Sequence, residues 1–280
     1  MIIITIVGVV VWPGKKEPEY KGKRLSEWAA LQQDQPSEAT TALLAIGTNG
    51  LPTIISWIDY DLPRWRTSLI KISSNMPKSW AWRGRIYKWL ADEGLNRRVQ
   101  NADFCFKVLG EQGRPAIPEL KRLIRDGRFI RPGCAAQALA SMEGDGVLAL
   151  VELLDDRTLG NAGRLAALRT LRSVEYRGPE LKKAVPALLS CLQDTNSWVQ
   201  AFAAQSLGHF GCGHQQAVPA LAQLTLSPSP DCRMYAAQAL RQFGPDAIPA
   251  LSAVSNLTHD SDERVRIMAE KALEKIMRPR

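Results

Sequence analysis

Residues 184–211 read AVPALLSCLQDTNSWVQAFAAQSLGHFG, and this stretch spells out one complete helical hairpin. An apolar run carries an early proline, a polar turn interrupts it, and small or apolar residues then recur at spacings of three and four. That spacing is typical of an amphipathic helix. The same order returns as AVPALAQLTLSPSPDCRMYAAQALRQFG (217–244) and as AIPALSAVSNLTHDSDERVRIMAEKALEKI (247–276). The stretch therefore predicts a repeated pair of antiparallel helices.

Prolines and glycines mark where each pair begins and ends. Pro186, Pro219 and Pro249 stand at equivalent positions, and we expect them in the first turn of the first helix, where proline loses no intrahelical hydrogen bond. Gly211 and Gly244 follow the second helices and are expected to end them.

The repeat extends towards the amino terminus with decreasing regularity. Equivalent positions recur every 30 to 38 residues from Pro118 to Pro249, a period that signifies stacked helical hairpins. The predicted fold is all-α, a right-handed α-solenoid of about eight antiparallel helix pairs with irregular N-terminal ones. The pairs are expected at 25–47, 51–74, 80–110, 115–142, 146–174, 179–209, 214–242 and 246–277. Three regions follow: an apolar leader or anchor with a polar linker (1–19), irregular Trp-rich repeats (20–114) and regular repeats (115–280).

The regular units resemble HEAT repeats, particularly the short bacterial kind with the pattern AxPxLxxLLxDxxxxVRxxAAxALGxIG. The resemblance covers five units from about residue 115 to the end of the chain. It implies that an Asp before each second helix (Asp126, Asp194, Asp260) and an Arg within it (Arg233, Arg266) form a ladder along the stack. Gln200 and Pro132 occupy two of the Arg positions, so the ladder is expected to be interrupted.

The N-terminal sequence predicts the location of the protein. MIIITIVGVVVW (1–12) is apolar except for Thr5 and Gly8, but it is shorter than the roughly 20 residues of a membrane-spanning helix. It is interpreted as an export leader or membrane anchor, with a short membrane-associating tail and a packed strand as alternatives. The segment YKGKRLSEW (20–28) is similar to the corresponding segment of exported bacterial HEAT-repeat proteins. The sequence thus predicts an exported or membrane-anchored protein, and otherwise a cytoplasmic one.

Two groups of residues are candidates for binding a partner. Tryptophans and arginines alternate between residues 57 and 89, and such side chains dominate interface hot spots and also form stacking platforms for bases. The second group is the basic stretch KRLIRDGRFIR (121–131), which predicts either an anion-binding patch or a solvated loop. For the tryptophans the alternative is a core-filling role. The candidate residues are Trp57, Trp65, Trp82, Arg83, Arg85, Trp89, Arg122, Arg125 and Arg128.

Motifs for catalysis, metals and cofactors are weak. His209, Cys212 and His214 offer three ligands where structural zinc needs four, and we expect no metal site. GDGVLA (144–149) formally fits a dinucleotide fingerprint, but without a preceding strand we interpret it as a turn. The five cysteines are unevenly spaced and contain no Cys-x-x-Cys pair, which favours buried free thiols. No cofactor is predicted.

The leading functional hypothesis is a non-enzymatic scaffold that binds a protein partner on the concave face lined by the second helices. The net charge of +8 and the isoelectric point near 9.4 are compatible with acidic partners of several kinds. The alternative hypothesis is a nucleic-acid-binding protein resembling the alkylpurine DNA glycosylases built on HEAT-like repeats. Only weak DNA binding is expected, because the regular repeats show no continuous basic stripe.

Overall fold

The computed structural model of the protein describes residues 17–59, 93–127, 131–156, 158–174, 178 and 181–278. Within these ranges the chain is a stack of antiparallel helix pairs, which confirms the predicted all-α solenoid. The first described element is a β-hairpin with two residues in each strand. Glu19–Tyr20 (β1) pairs with Lys23–Arg24 (β2). The indole Nε1 of Trp28 in the first helix donates to the carbonyl of Tyr20 at 2.9 Å, so the hairpin is fastened to the start of the stack.

The described helices lie in the predicted pairs to within a few residues at their ends, and residues 60–92, which make up about half of the pairs 51–74 and 80–110, lie outside the described residues. Short 3₁₀ segments connect some of the helices, at Gly47–Gly50, Gly110–Ala116, Gly244–Ala250 and Leu257–His259. The α-helices are α1 (Leu25–Ala30), α2 (Pro36–Ile46), α3 (Leu51–Ile58), α4 (Glu93–Leu109), α5 (Ile117–Arg125), α6 (Arg131–Ala140), α7 (Glu143–Asp155), α8 (Asn161–Leu171), α9 (Leu181–Cys191), α10 (Ser197–Phe210), α11 (His214–Leu224), α12 (Pro230–Phe243), α13 (Leu251–Asn256) and α14 (Glu263–Ile276).

The second helices of successive pairs pack against one another through small residues. Ala204 and Ala237, which occupy equivalent positions in two successive repeats, are fully buried. Gly208 in α10 lies so close to α12 that a Cβ atom there would be 2.6 Å from the Cα of Ala239. The α10–α12 and α12–α14 contacts are the most extensive in the described chain, so the second helices form one tightly packed layer.

Two predictions about local structure are wrong. Pro186 and Pro219 lie inside α9 and α11, because these helices begin about one turn earlier than the prolines suggest. Both prolines are exposed, so the carbonyl that each leaves unpaired can be solvated. Pro249 lies in the 3₁₀ segment before α13, and Pro118 stands in the first turn of α5 as expected.

The second wrong prediction concerns the GDGVLA segment, which belongs to the first turns of α7. A Cβ atom on Gly146 would collide with the backbone carbonyl of Leu139. The glycine therefore permits close packing of α7 against the end of α6. The closing glycines do behave as predicted, since Gly211 and Gly244 follow their helices with φ of 63° and 58°.

Length and composition alone would allow the stretch Pro36–Ile58, with a mean hydropathy of 1.3, to cross a membrane. In the structure this stretch is α2, a 3₁₀ turn and α3. Leu43 and Ile54 on these two helices are buried in the core of the stack. Core helices of folded domains commonly pass the same test.

Candidate functional site

An aromatic row crosses the exposed face of two second helices. Trp198 and Phe202 are one turn apart on α10 with ring centroids separated by 5.7 Å, and Phe202 meets Tyr235 of α12 edge-on at 6.4 Å. The Trp198 residue is 48% exposed, whereas Phe202 and Tyr235 are half-buried. We call these three side chains the aromatic row.

The start of α10 is held by two side chains that precede Trp198. The Asn196 side chain accepts a hydrogen bond from the backbone N–H of Trp198 at 2.9 Å, which is an ordinary N-cap. The Asp194 carboxylate accepts the N–H of Asn196 at 2.8 Å and so holds the preceding turn. The tryptophan is thus presented from a well-defined helix end.

An arginine from the neighbouring pair completes the aromatic row. The guanidinium carbon of Arg172, at the end of α8, lies 4.9 Å from the centroid of the Phe202 ring. Its Nη1 donates to Oε1 of Gln205 at 2.8 Å. Arginine stacked on an aromatic face is held in one orientation, so α8, α10 and α12 all contribute to one surface.

A polar row runs parallel to the aromatic row, one helical turn away. Aligning the second helices by their alanines places the side chains of this row at one equivalent position in five successive units. All are exposed or half-buried. The polar row consists of Gln137, Arg169, Gln205, Gln238 and Lys271.

The structure gives different answers for the sequence-predicted residues. Trp57 is 8% exposed and belongs to the hydrophobic core, so this tryptophan has the core-filling role. Trp65, Trp82, Arg83, Arg85, Trp89 and Arg128 lie outside the described residues.

The described part of the basic stretch is compensated by carboxylates. Arg122 contacts Glu119 and Asp126 at 2.6 and 2.7 Å and lies 3.6 Å from Asp59. These contacts raise the pKa of the Arg122 guanidinium and lower the pKa of the Glu119 carboxyl.

The neighbouring cations are compensated as well. Arg125 donates to Asp156 at 2.8 Å, and Lys121 lies 2.6 Å from Glu152. Hydrogen bonds from Thr158 and Arg125 lower the pKa of Asp156 to about 2. The described side chains of this stretch are therefore paired internally, as in a solvated surface, and do not form a field of unpaired cations.

The ladder implied by the family resemblance exists in part. Arg233 of α12 pairs with Asp260 of the next repeat, and Arg164 of α8 pairs with Asp194. Gln200 donates instead to the backbone carbonyl of Asp194 in its own repeat at 2.8 Å, so the ladder is interrupted there as expected. Sequence reasoning missed Arg164, which aligns with Arg233 in a unit that lacks the proline.

The surroundings of the histidine and cysteine side chains do not suggest a metal site or a reactive thiol. A ring nitrogen of His209 lies 2.8 Å from the carbonyl oxygen of Val174. Within the described residues no group of three or more His, Cys, Asp or Glu side chains is arranged to hold a metal ion. Burial raises the pKa of Cys105 to about 12 and that of Cys191 to about 12, which makes both thiols poor nucleophiles.

Comparison with known families agrees with the repeat architecture. The family model described as HEAT repeats matches residues 161–241, which contain α8 to α11 and all but the last two residues of α12. Residues 161–241 are therefore HEAT repeats. The aromatic row lies within the HEAT-matched region, and its three residues belong to consecutive second helices.

Several solved structures are similar to this chain. One engineered protein has 19% identity and a TM-score of 0.49 over 91% of this chain and 99% of its own. A second engineered protein has 24% identity and a TM-score of 0.47 over 76% and 97%. A designed armadillo repeat protein in complex with the peptide (KR)4 has 16% identity and a TM-score of 0.47 over 81% and 99%. No curated protein sequence matches this one significantly.

Proposed function

We propose that the protein is a non-enzymatic scaffold that binds a segment of a protein partner across its second helices. The aromatic row is the observation that carries this proposal, because three aromatic rings and a stacked arginine are presented together on an ordered surface. Trp, Tyr and Arg are the residue types that dominate binding energy at protein interfaces.

Exposure of Trp198 favours binding over a purely structural role. A buried tryptophan removes about 150–250 Å² from water, and almost half of this side chain is still exposed. Covering the remainder would contribute about 2–3 kcal/mol at 25 cal/mol per Å². A partner segment that covers the aromatic row would supply that stabilisation.

The packing of the helices favours the same face. Small residues such as Gly208 and Ala239 bring the second helices close together, so we expect the stack to curve towards them. Their exposed side then becomes a concave surface of the kind that repeat proteins use for binding. Gln205 and Gln238 of the polar row would offer amide groups to the backbone of an extended segment.

We further propose, from residues 1–12, that the protein is exported or anchored to a membrane. The apolar run followed by the basic residues Lys15 and Lys16 supports this location. Fractionation of cells that express the native locus tests the proposal: recovery in an extracytoplasmic or membrane fraction is expected, and recovery in the soluble cytoplasm would contradict it.

Peptide display tests the binding function. Random peptides are selected on the full chain, and the affinities of the enriched peptides are measured by fluorescence anisotropy. Trp198→Ala and Tyr235→Ala are each expected to weaken binding at least about tenfold, as hot-spot truncations do. Ile248→Ala removes another exposed apolar side chain, 57% exposed outside the aromatic row, and should leave the affinities unchanged.

Thermal unfolding of each variant separates binding from stability. Trp198→Ala and Ile248→Ala are expected to unfold close to the wild-type midpoint because both side chains are exposed, and Tyr235→Ala somewhat below it because its ring packs partly against the core. Enriched peptides that bind the two aromatic-row variants as tightly as the Ile248→Ala control would overturn the proposal.

A further inference from the structure

A groove of about 710 Å³ lies beside the aromatic row, between α6, α8 and α10. Its volume falls in the range of about 300–1,000 Å³ that is usual for ligand sites. Two guanidinium groups, two amides and two hydroxyls line it along with apolar surface. The polar lining residues are Gln137, Arg169, Thr170, Arg172, Ser173 and Gln205.

The two arginines of this groove differ from most others in the described chain. Arg114, Arg125, Arg164, Arg233 and Arg264 each contact a carboxylate. Over the described ranges, neither Arg169 nor Arg172 contacts one, and no carboxylate lines the groove. Among the described residues, no carboxylate therefore compensates the two guanidinium charges of the groove.

Helix geometry places these two charges together. Arg169 and Arg172 are three residues apart at the end of α8, a spacing that puts side chains on the same side of a helix. The helix dipole favours cations at this end and offsets part of their mutual repulsion. An anion bound between them would remove the rest.

Arg172 is already held in position for such an anion. Stacking on Phe202 occupies one face of the Arg172 guanidinium group, and the hydrogen bond to Gln205 uses one of its N–H donors. Guanidinium has five N–H donors in a planar fork that matches a carboxylate. The ordering of this side chain is thus largely complete before a ligand binds, which reduces the entropic cost of binding.

We propose that this groove binds the carboxylate of an acidic residue in the partner segment, with neighbouring apolar residues of the segment covering the aromatic row. The inference rests on the proposed function and specifies its partner as an acidic, apolar-bearing peptide. A nucleic acid fits less well, because a phosphate track needs successive unpaired cations. The described cations at 121, 122 and 125 are paired with carboxylates.

Three labelled peptides of equal length test the proposal against the full chain. They alternate leucine with glutamate, glutamine or lysine, and a single-stranded oligothymidylate serves as the nucleic-acid probe. The Glu–Leu peptide is expected to bind about tenfold more tightly than the Gln–Leu peptide at low salt, with the advantage shrinking at high salt. The Lys–Leu peptide is expected to bind most weakly.

Matched variants locate the effect. Arg169→Gln should abolish most of the preference for glutamate over glutamine, since the side chain is exposed and has no carboxylate partner to leave behind. Lys183→Gln makes the same change of charge on an exposed residue of α9 and should preserve the preference. Trp198→Ala should weaken the Glu–Leu and Gln–Leu peptides by the same factor.

The outcomes distinguish the two proposals. Equal affinity for the Glu–Leu and Gln–Leu peptides, or equal effects of Arg169→Gln and Lys183→Gln, would overturn the carboxylate site and leave the scaffold function intact. Failure of all three peptides, together with no enrichment in peptide display, would overturn the scaffold function itself. Oligothymidylate binding that exceeds Glu–Leu binding and is lost in Arg169→Gln would replace the acidic peptide by a nucleic acid.

Discussion

Arg233 and Asp260 join two successive repeats through a bidentate ion pair. The Nε and Nη2 atoms of Arg233 donate to the two carboxylate oxygens of Asp260 at 2.6 and 2.7 Å. The side chains are only 14% and 7% exposed. Asp260 also accepts the backbone N–H of Asp262 at 2.9 Å, so one carboxylate fixes both the turn before α14 and the contact between repeats.

Removal of this pair should destabilise the stack. Arg233→Ala leaves a largely buried carboxylate without its charged partner, and we expect a loss of about 1–3 kcal/mol in the free energy of unfolding. Urea denaturation measures the loss. The pair Arg278–Glu274 is the control, because its side chains are 63% and 65% exposed and Arg278→Ala should change stability little. Similar losses for the two variants would show that the pair between repeats has no special role.

Acid should lower the free energy of unfolding by protonating carboxylates of this region. The hydrogen bonds from Arg233 hold the pKa of Asp260 below its ordinary value, and Arg264 lowers the pKa of Asp262 to about 2. A carboxyl with a lowered folded-state pKa stabilises the protein above its unfolded pKa of about 4 and loses that contribution as the pH falls through the folded value. Stability should therefore decline between about pH 4 and pH 2.

The variant Asp260→Asn measures how much Asp260 contributes to this loss of stability in acid. It should be less stable than wild type at neutral pH, and its stability should fall less steeply in acid. Urea denaturation at several pH values measures both effects. A wild-type slope that Asp260→Asn leaves unchanged would contradict the assignment.

Close packing of the second helices should make any side chain at Gly208 destabilising. A methyl group at Gly208 would lie 2.6 Å from the Cα and 2.9 Å from the Cβ of Ala239. Since backbone atoms cannot move aside locally, Gly208→Ala should cost about 1–3 kcal/mol through overpacking. Gly133 in α6 has open space at the same atom, and Gly133→Ala should be neutral or slightly stabilising. Thermal unfolding compares the two, and equal midpoints would show that α10 and α12 are not closely packed.

Replacing a buried hydroxyl, unlike the substitutions above, is not expected to lower the stability of the protein. Ser206 is fully buried in α10, and its Oγ atom has no hydrogen-bond partner among the residues that the structure describes. Replacing an unsatisfied buried polar group by an apolar group of similar shape removes a desolvation penalty. Ser206→Ala should therefore leave stability unchanged or raise it by up to about 1 kcal/mol in urea denaturation. A clear loss would mean that the hydroxyl has a partner in solution.

Local spacing made the fold predictable from the sequence. The alanines at 204 and 237 and the glycines at 211 and 244 follow helical geometry that no distant contact overrides, and the structure agrees at each. Pro186 misled because an exposed proline within a helix leaves a carbonyl that water can solvate, so its cost does not force a helix boundary.

The candidate site was harder to predict, because its residues are ordinary members of each unit. The high density of tryptophan between residues 57 and 89 predicts a binding site, yet Trp57 is in the core. Phe202 and Tyr235 align at the same position of consecutive second helices, and that alignment could have indicated an aromatic row. The pairing of Arg122 and Arg125 with carboxylates depends on neighbouring helices, which local sequence does not show.

The position of a bound peptide tests the central claim most directly. The photoreactive amino acid p-benzoylphenylalanine is incorporated in place of Phe202 or, as a control, of Ile248, and each protein is irradiated with a display-selected peptide at saturation. The account predicts cross-linking from position 202, in the aromatic row, and none from position 248. Cross-linking from position 248 with none from position 202 would contradict binding across the second helices.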